Sequence, residues 1–161
     1  MFHRAVTSTL LAGFLVGCAN PRDAEVPFDG EPLPDFDLSD ANPNSDSFED
    51  QLGPRDAEGS ISLWYFTHAT CPYCQSQFDI LYTFQAELHE DYGADAVQVF
   101  GVNAAGYESG IPDITDGNSL PLLQDIDSVD AWGTWHAEWR DLVLVDEDNA
   151  WIGLFLSLIH I

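Results

Sequence analysis

The sequence of 161 residues predicts an α/β fold in which helices flank a mixed β-sheet. The first observation behind this prediction is that several short runs are rich in β-branched and aromatic residues, as buried strands are. The second is that apolar residues recur at three- and four-residue steps in the stretches between them, which is the helical period. The resulting order, strand–helix–strand–helix–strand–strand, is typical of a single mixed sheet with helices packed against it.

The chain is strongly acidic. It carries 28 Asp and Glu against four Arg and no Lys, so that its formal net charge at pH 7 is −24. A surface of this sign repels nucleic acid and anionic lipid headgroups, and we therefore expect no nucleic-acid partner. An acidic surface keeps a protein soluble, and adaptation to high salt would produce the same bias. Hydrophobic residues still make up 45% of the chain, which is enough for a buried core.

Residues 1–17 are predicted to form a lipoprotein signal peptide. The apolar run "LLAGFLVG" is shorter than the roughly 20 residues that cross a bilayer, and a single arginine precedes it. The run leads into "LVGC", which resembles the bacterial lipobox, so that Cys18 would be lipidated and become the mature N-terminus. We therefore expect a protein anchored outside the cytoplasm, on the inner or the outer membrane of a bacterium. The alternative is an ordinary signal peptide with an incidental cysteine.

The rest of the chain divides into a tether, a domain and a short tail. Residues 18–31 are expected to form the lipidated N-terminus and a flexible acidic tether. The folded domain spans residues 32–155 and begins with an irregular, partly ordered lead-in over 32–60. The final stretch, 156–161, is "LSLIHI", which matches the translation of a sequencing-library adapter. We interpret it as an artefact, so that the natural C-terminus is missing together with a closing amphipathic helix.

The first strand and the first helix are predicted at the centre of the domain. "ISLWYFT", residues 61–67, is β-branched and aromatic throughout, as a buried central strand would be. A helix is predicted to begin at Pro72, since proline suits the first helical turn, and to stop near Gly93. Its apolar stripe is expected to comprise Phe78, Leu81, Phe84 and Leu88.

Three more strands and one more helix complete the prediction. Residues 96–103 form a buried strand, a polar loop follows over 104–119, and residues 120–125 hold a short extended piece. Residues 142–155 are expected to form two strands joined by a tight turn at "EDN". Before them, Asp127 or Ser128 is predicted to cap a helix. That helix is expected to carry a core-facing stripe of Val129, Trp132, Trp135 and Trp139.

The motif "TCPYC" carries the predicted chemistry. Cys71 and Cys74 are separated by two residues, where the strand 61–67 gives way to the helix. The free N–H groups and the positive dipole end of a helix favour a thiolate, so we expect the pKa of Cys71 to lie below the usual thiol value. Cys74 follows almost one turn later and can close a small disulfide ring, while Pro72 restrains the helix start. Cys71 would attack a substrate disulfide, and Cys74 would resolve the mixed disulfide.

Three other uses of the pair are weaker. A structural zinc ion usually takes four protein ligands, and His68 is the one nearby candidate for a third. Haem attachment needs a histidine after the second cysteine, where Gln75 stands. A purely structural disulfide across so short a loop stabilises little. We therefore predict a redox-active pair, with no metal and no obligatory cofactor.

The segment "PDFDLSDANPNS…ISLWYFTHATCPYCQSQF" resembles the thioredoxin-like superfamily, in particular its membrane-anchored bacterial redoxins. The tetrad that contains Pro72 and Tyr73 is of the glutaredoxin type. The pieces "GVNAAG" (101–106), "VDAWGTWHAEW" (129–139) and "DLVLVDEDNAWIGLF" (141–155) are similar to the amino-terminal domain of selenoprotein P and its bacterial relatives. The resemblance implies a thioredoxin-like fold and thiol–disulfide oxidoreductase activity, with Pro72 and Tyr73 in auxiliary roles.

Two departures from the thioredoxin pattern bear on this activity. Thioredoxins place a cis-proline before the strand aligned with "LVLVD", where Arg140-Asp141 stands here, and the acidic residue that they bury beneath the pair falls at Tyr65. "RDLVLVD" also resembles the peroxiredoxin segment whose arginine faces the peroxidatic cysteine. A guanidinium there would stabilise a thiolate and hold a peroxide oxygen. The alternative function is therefore a thiol peroxidase, with Cys71 peroxidatic and Arg140 assisting.

His68 lies three residues before Cys71 and allows three interpretations. It is a solvated loop residue, a base near the thiol, or a copper ligand beside the pair. Copper-delivery relatives of this fold space their cysteines by three residues and add a distal histidine, so a copper-binding chaperone ranks third. In the peroxiredoxin comparison, Trp64 and His68 stand where a proline and a threonine would be.

We expect the partners of the protein to be protein or small-molecule thiols and disulfides, or peroxides in the alternative function. Turnover also requires an electron donor, which the sequence does not identify. The membrane is expected to be a partner through the lipid anchor alone.

Overall fold

The computed structural model of the chain describes residues 31–94 and 96–156. The signal peptide, Cys18 and nearly all of the tether lie outside the described residues, as do residues 157–161 of the interpreted artefact. The expectations about anchoring and about the tail therefore stay predictions. Within the two described ranges, no helix combines the length and the apolar character needed to cross a bilayer.

The lead-in is irregular, as predicted, but it contains some regular pairing. β1 (Leu38–Ser39) pairs antiparallel with β2 (Gln51–Leu52), and a 3₁₀ turn follows at Pro54–Ala57. Arg55 in that turn forms ion pairs with Asp35 and Asp37 on the surface. The lead-in therefore folds back on itself before the main sheet begins.

The lead-in is tied to the edge of the sheet by buried polar groups. The Asp40 carboxylate, which is 1% exposed, accepts N–H bonds from Asn42 at 2.9 Å and from Leu122 at 3.0 Å. The Asn42 side chain donates in turn to the Leu120 carbonyl oxygen at 2.7 Å. These bonds join segments about 80 residues apart, and they satisfy polar groups that burial would otherwise leave without partners.

Five strands form the mixed sheet. The central strand β3 (Ile61–Thr67) runs parallel to β4 (Val97–Asn103), and β4 runs parallel to the short β5 (Leu122–Gln124). On its other side β3 pairs antiparallel with β6 (Asp141–Val145), which pairs antiparallel with β7 (Trp151–Leu156). The order across the sheet is β5–β4–β3–β6–β7, which confirms the predicted mixed sheet and all of its strands.

The first helix, α1 (Pro72–Tyr92), begins at the predicted residue and ends directly before Gly93, which has a φ of 97°. Phe78 and Leu81 are buried against the sheet, as expected.

The predicted apolar stripe of α1 is wrong at Phe84, which is 44% exposed. A helix has 3.6 residues per turn, so a face that contains Phe78 and Leu81 continues at residue 85. Gln85 stands there, and its amide oxygen accepts the Val99 N–H at 2.6 Å. The inner face of the helix therefore becomes polar where it meets the start of β4.

The sheet separates the core into two halves because side chains alternate along β3. Leu63 and Tyr65 pack on the α1 side, whereas Trp64 and Phe66 pack on the opposite side. The second half is rich in rings, and Trp64 stacks on Phe100 with centroids 4.3 Å apart. The lead-in and the segment after β5 cover this second half.

The predicted polar loop at 104–119 contains two short helical turns. A 3₁₀ turn spans Glu108–Gly110, and α2 (Ile111–Ile114) follows directly. Ile114 is buried on the α1 side of the sheet, so that the loop contributes to the core.

The helix predicted after β5 is much shorter than expected. α3 covers only Ala131–Thr134, and its N-cap is Asp130 in place of the predicted Asp127 or Ser128. The backbone turns left-handed at His136, with a φ of 50°, and this conformation cannot continue a helix.

The tryptophans of the predicted stripe therefore do not share one helix face. Trp135 is 4% exposed and Trp132 packs against the same part of the core, as predicted. Trp139 lies beyond α3 and is 47% exposed, so its assignment to a helical core stripe is wrong.

Asp125 supports the segment that carries these tryptophans. Its buried carboxylate accepts N–H bonds from Ile126 at 2.8 Å, from Ala131 at 3.1 Å and from Trp132 at 3.1 Å. We expect Asp125→Ala to lower the free energy of unfolding by about 2–4 kcal/mol, because hydrogen bonds to a charged group are strong and their donors would be left unsatisfied. Urea unfolding followed by tryptophan fluorescence measures this change.

The matched control is Asp127→Ala, on the exposed part of the same loop. We expect it to leave the free energy of unfolding within about 0.5 kcal/mol of the wild type. Equal stability of the two variants would contradict the role assigned to Asp125.

Candidate active site

Cys71 and Cys74 lie at the junction of β3 and α1, as predicted. Cys71 is the N-cap residue of α1, with extended backbone angles (φ −91°, ψ 118°), and its N–H donates to the His68 carbonyl oxygen at 2.9 Å. Cys71 is half-buried, whereas Cys74 in the first helical turn is fully buried. Both thiols are free. The pair therefore has one sulfur near the surface and one inside the core.

The two residues between the cysteines lie at the surface. Pro72 is the first residue of α1, as predicted, and Tyr73 is 62% exposed. A large exposed ring therefore lies next to Cys71 at the surface.

Side chains from neighbouring elements fix the turn before α1. The Asn103 side-chain oxygen, at the end of β4, accepts the Ala69 N–H at 2.8 Å, and Gln75 donates to the Ala69 carbonyl oxygen at 2.8 Å. Gly110 packs so closely that a Cβ there would lie 2.3 Å from the Ala69 carbonyl carbon. Only glycine fits at such a close approach of two backbones. The turn is therefore held from both sides, which gives the sulfur atoms a defined position.

Hydrogen-bond donors surround the buried sulfur. The Trp139 indole N–H donates to Cys74 Sγ at 3.2 Å, and the Cys71 thiol and the Tyr65 hydroxyl approach the same atom. Burial opposes a charge on Cys74, but these donors and the His68 backbone outweigh it and hold the pKa of Cys74 below its ordinary value.

The pKa of Cys71 is raised, contrary to the sequence-based prediction. Burial raises it, and the hydrogen bond with the Cys74 thiol adds to the increase. Backbone N–H groups at the helix start lower the pKa of Cys71, as predicted, but burial and the Cys74 thiol raise it by more. The two thiols interact directly, and negative charge is favoured on Cys74 over Cys71 in this arrangement.

Tyr65 lies beneath the pair, where the resemblance to thioredoxins places an acidic residue. It is fully buried, and its hydroxyl has no partner at full hydrogen-bond geometry among the described residues. Burial, followed by the neighbouring Cys74, raises the pKa of Tyr65 far above its ordinary value. A phenol that keeps its proton can donate towards a sulfur but cannot accept a proton from it. Tyr65 therefore cannot accept a proton from the pair, as a buried carboxylate could.

Four rings stand beside the pair and form what we call the aromatic panel: His68, Tyr107, Trp132 and Trp139. The His68 ring stacks on Tyr107 with centroids 3.8 Å apart, and it lies nearly parallel to Trp139 at 5.4 Å and to Trp132 at 5.5 Å. Burial lowers the pKa of His68. His68 lies in the loop after β3 and is partly buried, with its ring packed between aromatic neighbours.

Arg140 lies beside Tyr65. Its N–H donates to the Phe66 carbonyl oxygen at 2.9 Å, and its φ is 75°. Its charge lowers the pKa of Tyr65, against the larger effect of burial. The described residues contain no cis peptide bond, so the site lacks the cis-proline of thioredoxins in geometry as well as in sequence. The predicted role of Arg140 opposite Cys71 stays a prediction.

Two members of the aromatic panel, Tyr107 and Trp139, are not predicted from the sequence to lie near the cysteine pair. Tyr107 was assigned to a polar loop, where a lone aromatic residue is the signal that could have drawn attention to it. Trp139 was assigned to the core, and its contact with Cys74 depends on the early end of α3. No local pattern in the sequence indicates that end.

His68→Phe tests the packing of the aromatic panel through its pH dependence. The pKa of His68 is lowered from 6.5 by burial, so the folded state resists a proton that the unfolded chain takes up. Stability from this source is fully present above the unfolded pKa and is lost as the pH falls through it. Phenylalanine keeps a flat ring but cannot be protonated. We therefore expect a smaller decrease of Tm between about pH 7 and about pH 5 than in the wild type.

The control is His136→Gln, which removes an exposed histidine outside the panel. An equal decrease of Tm in His68→Phe and in the wild type would show that the His68 pKa is not lowered by its packing.

No protein-family model and no curated protein sequence matches the chain, but solved structures do. A candidate protein disulfide isomerase from Bacteroides thetaiotaomicron superposes with a TM-score of 0.62 at 19% identity, over 79% of this chain and 77% of that one. A secreted Mycobacterium tuberculosis disulfide oxidoreductase homologous to E. coli DsbE gives 0.60 at 14% identity, over 77% and 84%. Bradyrhizobium japonicum ScoI, solved with copper bound, gives 0.60 at 14% identity, over 79% and 91%.

These structures share the arrangement found here, a mixed five-stranded sheet flanked by helices. Their likeness to the chain spans more than three quarters of its length. The chain therefore has the thioredoxin-like fold that its sequence predicts.

Proposed function

We propose that the protein is a lipid-anchored, extracytoplasmic thiol–disulfide oxidoreductase that cycles Cys71 and Cys74 between dithiol and disulfide. The observation that carries this proposal is the geometry of the pair. A half-buried thiol at a helix start lies beside a fully buried thiol one turn below it, and each changes the pKa of the other. The thioredoxin-like fold, which the disulfide oxidoreductase named above also has, supports the general reaction class.

The reducing direction takes two exchange steps. The Cys71 thiolate attacks one sulfur of a substrate disulfide RS–SR, the substrate S–S bond breaks, and one RS⁻ leaves and takes up a proton. The Cys74 thiolate then attacks Cys71 Sγ in the mixed disulfide, which closes the protein disulfide and releases the second RS⁻. Two electrons pass from the pair to the substrate. A donor dithiol restores the pair by the same exchange in reverse.

The closeness of the two thiols suits both steps. Transfer of a proton from Cys71 to a Cys74 thiolate leaves a thiolate on the half-buried sulfur, which is the sulfur that a substrate can reach. Once Cys71 is part of a mixed disulfide, the indole of Trp139 still donates to Cys74 Sγ and favours the thiolate that performs the second step. The donors around Cys74 therefore support its assignment as the resolving cysteine.

A thiol peroxidase is the second candidate, because Arg140 brings a positive charge to Tyr65 beside the pair. Cys71 would attack a peroxide ROOH, forming a sulfenic acid and releasing ROH, and Cys74 would condense with it to give the disulfide and water. Both reactions start from a Cys71 thiolate, so the raised pKa of Cys71 does not distinguish them. Disulfide exchange is the better supported reaction, because a disulfide oxidoreductase is among the solved structures with this fold.

A copper-binding chaperone is the third candidate, and ScoI with copper bound has a similar fold. In the described ranges, no three His, Cys, Asp or Glu side chains are grouped so that they could hold a metal ion. A copper ion on the two thiols would need a further ligand from elsewhere.

Reduced protein should lose both thiols when it is mixed with hydroxyethyl disulfide. We expect Cys71→Ser to react at less than roughly one hundredth of the wild-type rate, because a hydroxyl is a poor nucleophile at neutral pH. Cys74→Ser should accumulate a mixed disulfide at Cys71, which mass spectrometry detects. Cys18→Ser serves as the parent of all variants, since it removes the third cysteine.

Parallel samples receive hydrogen peroxide or Cu(I). Rapid thiol loss with the peroxide but not with the disulfide would replace the proposed function by the peroxidase. Stoichiometric Cu(I) binding that Cys74→Ser abolishes, without disulfide exchange, would favour the chaperone.

The anchor is tested separately, on the full chain expressed in a bacterium with two membranes. We expect the wild type to incorporate labelled palmitate and to sediment with membranes, because each buried CH₂ of an acyl chain contributes about 0.8 kcal/mol. Cys18→Ser should be unlabelled and should appear in the soluble extracytoplasmic fraction. Equal sedimentation of both forms without a label would overturn the lipoprotein assignment.

A further inference from the structure

The indole of Trp139 reaches a buried sulfur from a half-exposed position. Its N–H donates to Cys74 Sγ at 3.2 Å, although Trp139 is 47% exposed and Cys74 is fully buried. The sulfur lies 65 residues earlier in the chain, so the contact depends on the tertiary fold.

The backbone around Trp139 is fixed on both sides. Before it, the Ala137 N–H donates to the Trp132 carbonyl oxygen at 2.9 Å. After it, the Arg140 N–H donates to the Phe66 carbonyl oxygen at 2.9 Å, at the end of the central strand. The indole is therefore presented by a constrained turn between α3 and β6.

The Trp139 ring is also fixed by its neighbours. It lies nearly parallel to the His68 ring at 5.4 Å, with an angle of 12° between the planes. The guanidinium carbon of Arg140 lies 5.9 Å from the centre of the indole, within the range of a cation–π contact. Packing of this kind restricts the ring to an orientation in which its N–H points at Cys74.

A donor at Cys74 does not favour both redox states equally. In the reduced pair, Cys74 Sγ is a thiol or a thiolate, and the thiolate is a strong acceptor of hydrogen bonds. In the disulfide the same sulfur is neutral and accepts weakly. The indole N–H therefore stabilises the reduced pair relative to the disulfide.

We propose that Trp139 is a positioning residue that makes the Cys71–Cys74 pair more oxidising and retains negative charge on the buried sulfur. The inference rests on the proposed function, because it concerns the same pair. It implies that Trp139 restrains the reactivity of Cys71. Without the indole donor, negative charge is held less strongly on Cys74, and Cys71 is a thiolate in a larger fraction of the molecules.

The test compares Trp139→Phe with Trp132→Phe, in protein that also carries Cys18→Ser. Trp132 belongs to the same aromatic panel, but its indole N–H has no hydrogen-bond partner among the described residues. The two substitutions therefore remove equal amounts of ring, and only one of them removes a donor to sulfur.

The first readout is the equilibrium of each protein with reduced and oxidised glutathione. Trp139→Phe should raise the equilibrium constant for oxidation of the dithiol by roughly tenfold, which corresponds to a potential about 30 mV more negative. Trp132→Phe should stay within about twofold of the parent. No difference between the two variants would overturn the proposal, and so would a shift towards a more oxidising pair.

The second readout is the pH profile of alkylation of Cys71 by iodoacetamide, followed by mass spectrometry. The profile of Trp139→Phe should shift to lower pH, so that Cys71 reacts faster at neutral pH than in the parent. Trp139→His, which retains a ring N–H, should move both readouts back towards the parent. An unchanged profile in Trp139→Phe would contradict the proposal, and circular dichroism identifies any variant that is not folded.

The proposed function and the role of Trp139 can be disproved separately. A parent protein that never forms the Cys71–Cys74 disulfide in glutathione would end the proposed function. The alkylation profile would still decide whether Trp139 controls the charge on the two sulfurs.

Discussion

The sulfur of Cys74 lies where solvent does not reach, in the core between α1 and the central strand, and in the proposed disulfide exchange it has to accept negative charge there. Such a charge is unfavourable in a protein interior unless donors face it. The donors come from four parts of the chain: the helix start, β3, the turn between them and the segment before β6. The sheet order brings these parts together, because β6 pairs directly with β3. The arrangement of the site is thus a consequence of strand pairing as much as of the cysteine motif.

Arg140 shows how the segment before β6 reaches the pair. Its φ of 75° is unusual for a residue with a side chain and costs of order 1 kcal/mol. The conformation persists because the Arg140 N–H extends the β3–β6 ladder by one bond to Phe66, beyond the pairing of Tyr65 with Leu142. Thioredoxins fill this place with a cis-proline, which donates no N–H. Here a donated N–H and a left-handed residue hold the neighbouring indole in place.

The parts of the fold that were predictable from sequence are those specified by local signals. Buried runs mark β3 and β4, and Pro72 and Gly93 mark the ends of α1. The α3 region was predicted wrongly, because the spacing of its tryptophans imitates a helical period while the backbone reverses at His136. At the site, Cys71 and Cys74 belong to a short motif and could be predicted. The indole donor could not, because a bond between residues 65 positions apart leaves no trace in a local pattern.

The position of the donors also bears on the direction in which the pair works. An isomerase benefits from a long-lived mixed disulfide, since the substrate needs time to rearrange before Cys74 displaces it. In the mixed disulfide, Cys71 no longer donates to Cys74, but the Trp139 indole N–H still does and favours its thiolate form. A ready resolving thiolate shortens the life of the mixed disulfide. Within the proposed function, the Trp139 donor therefore favours net transfer of electrons to or from a substrate over rearrangement of the substrate's own disulfides.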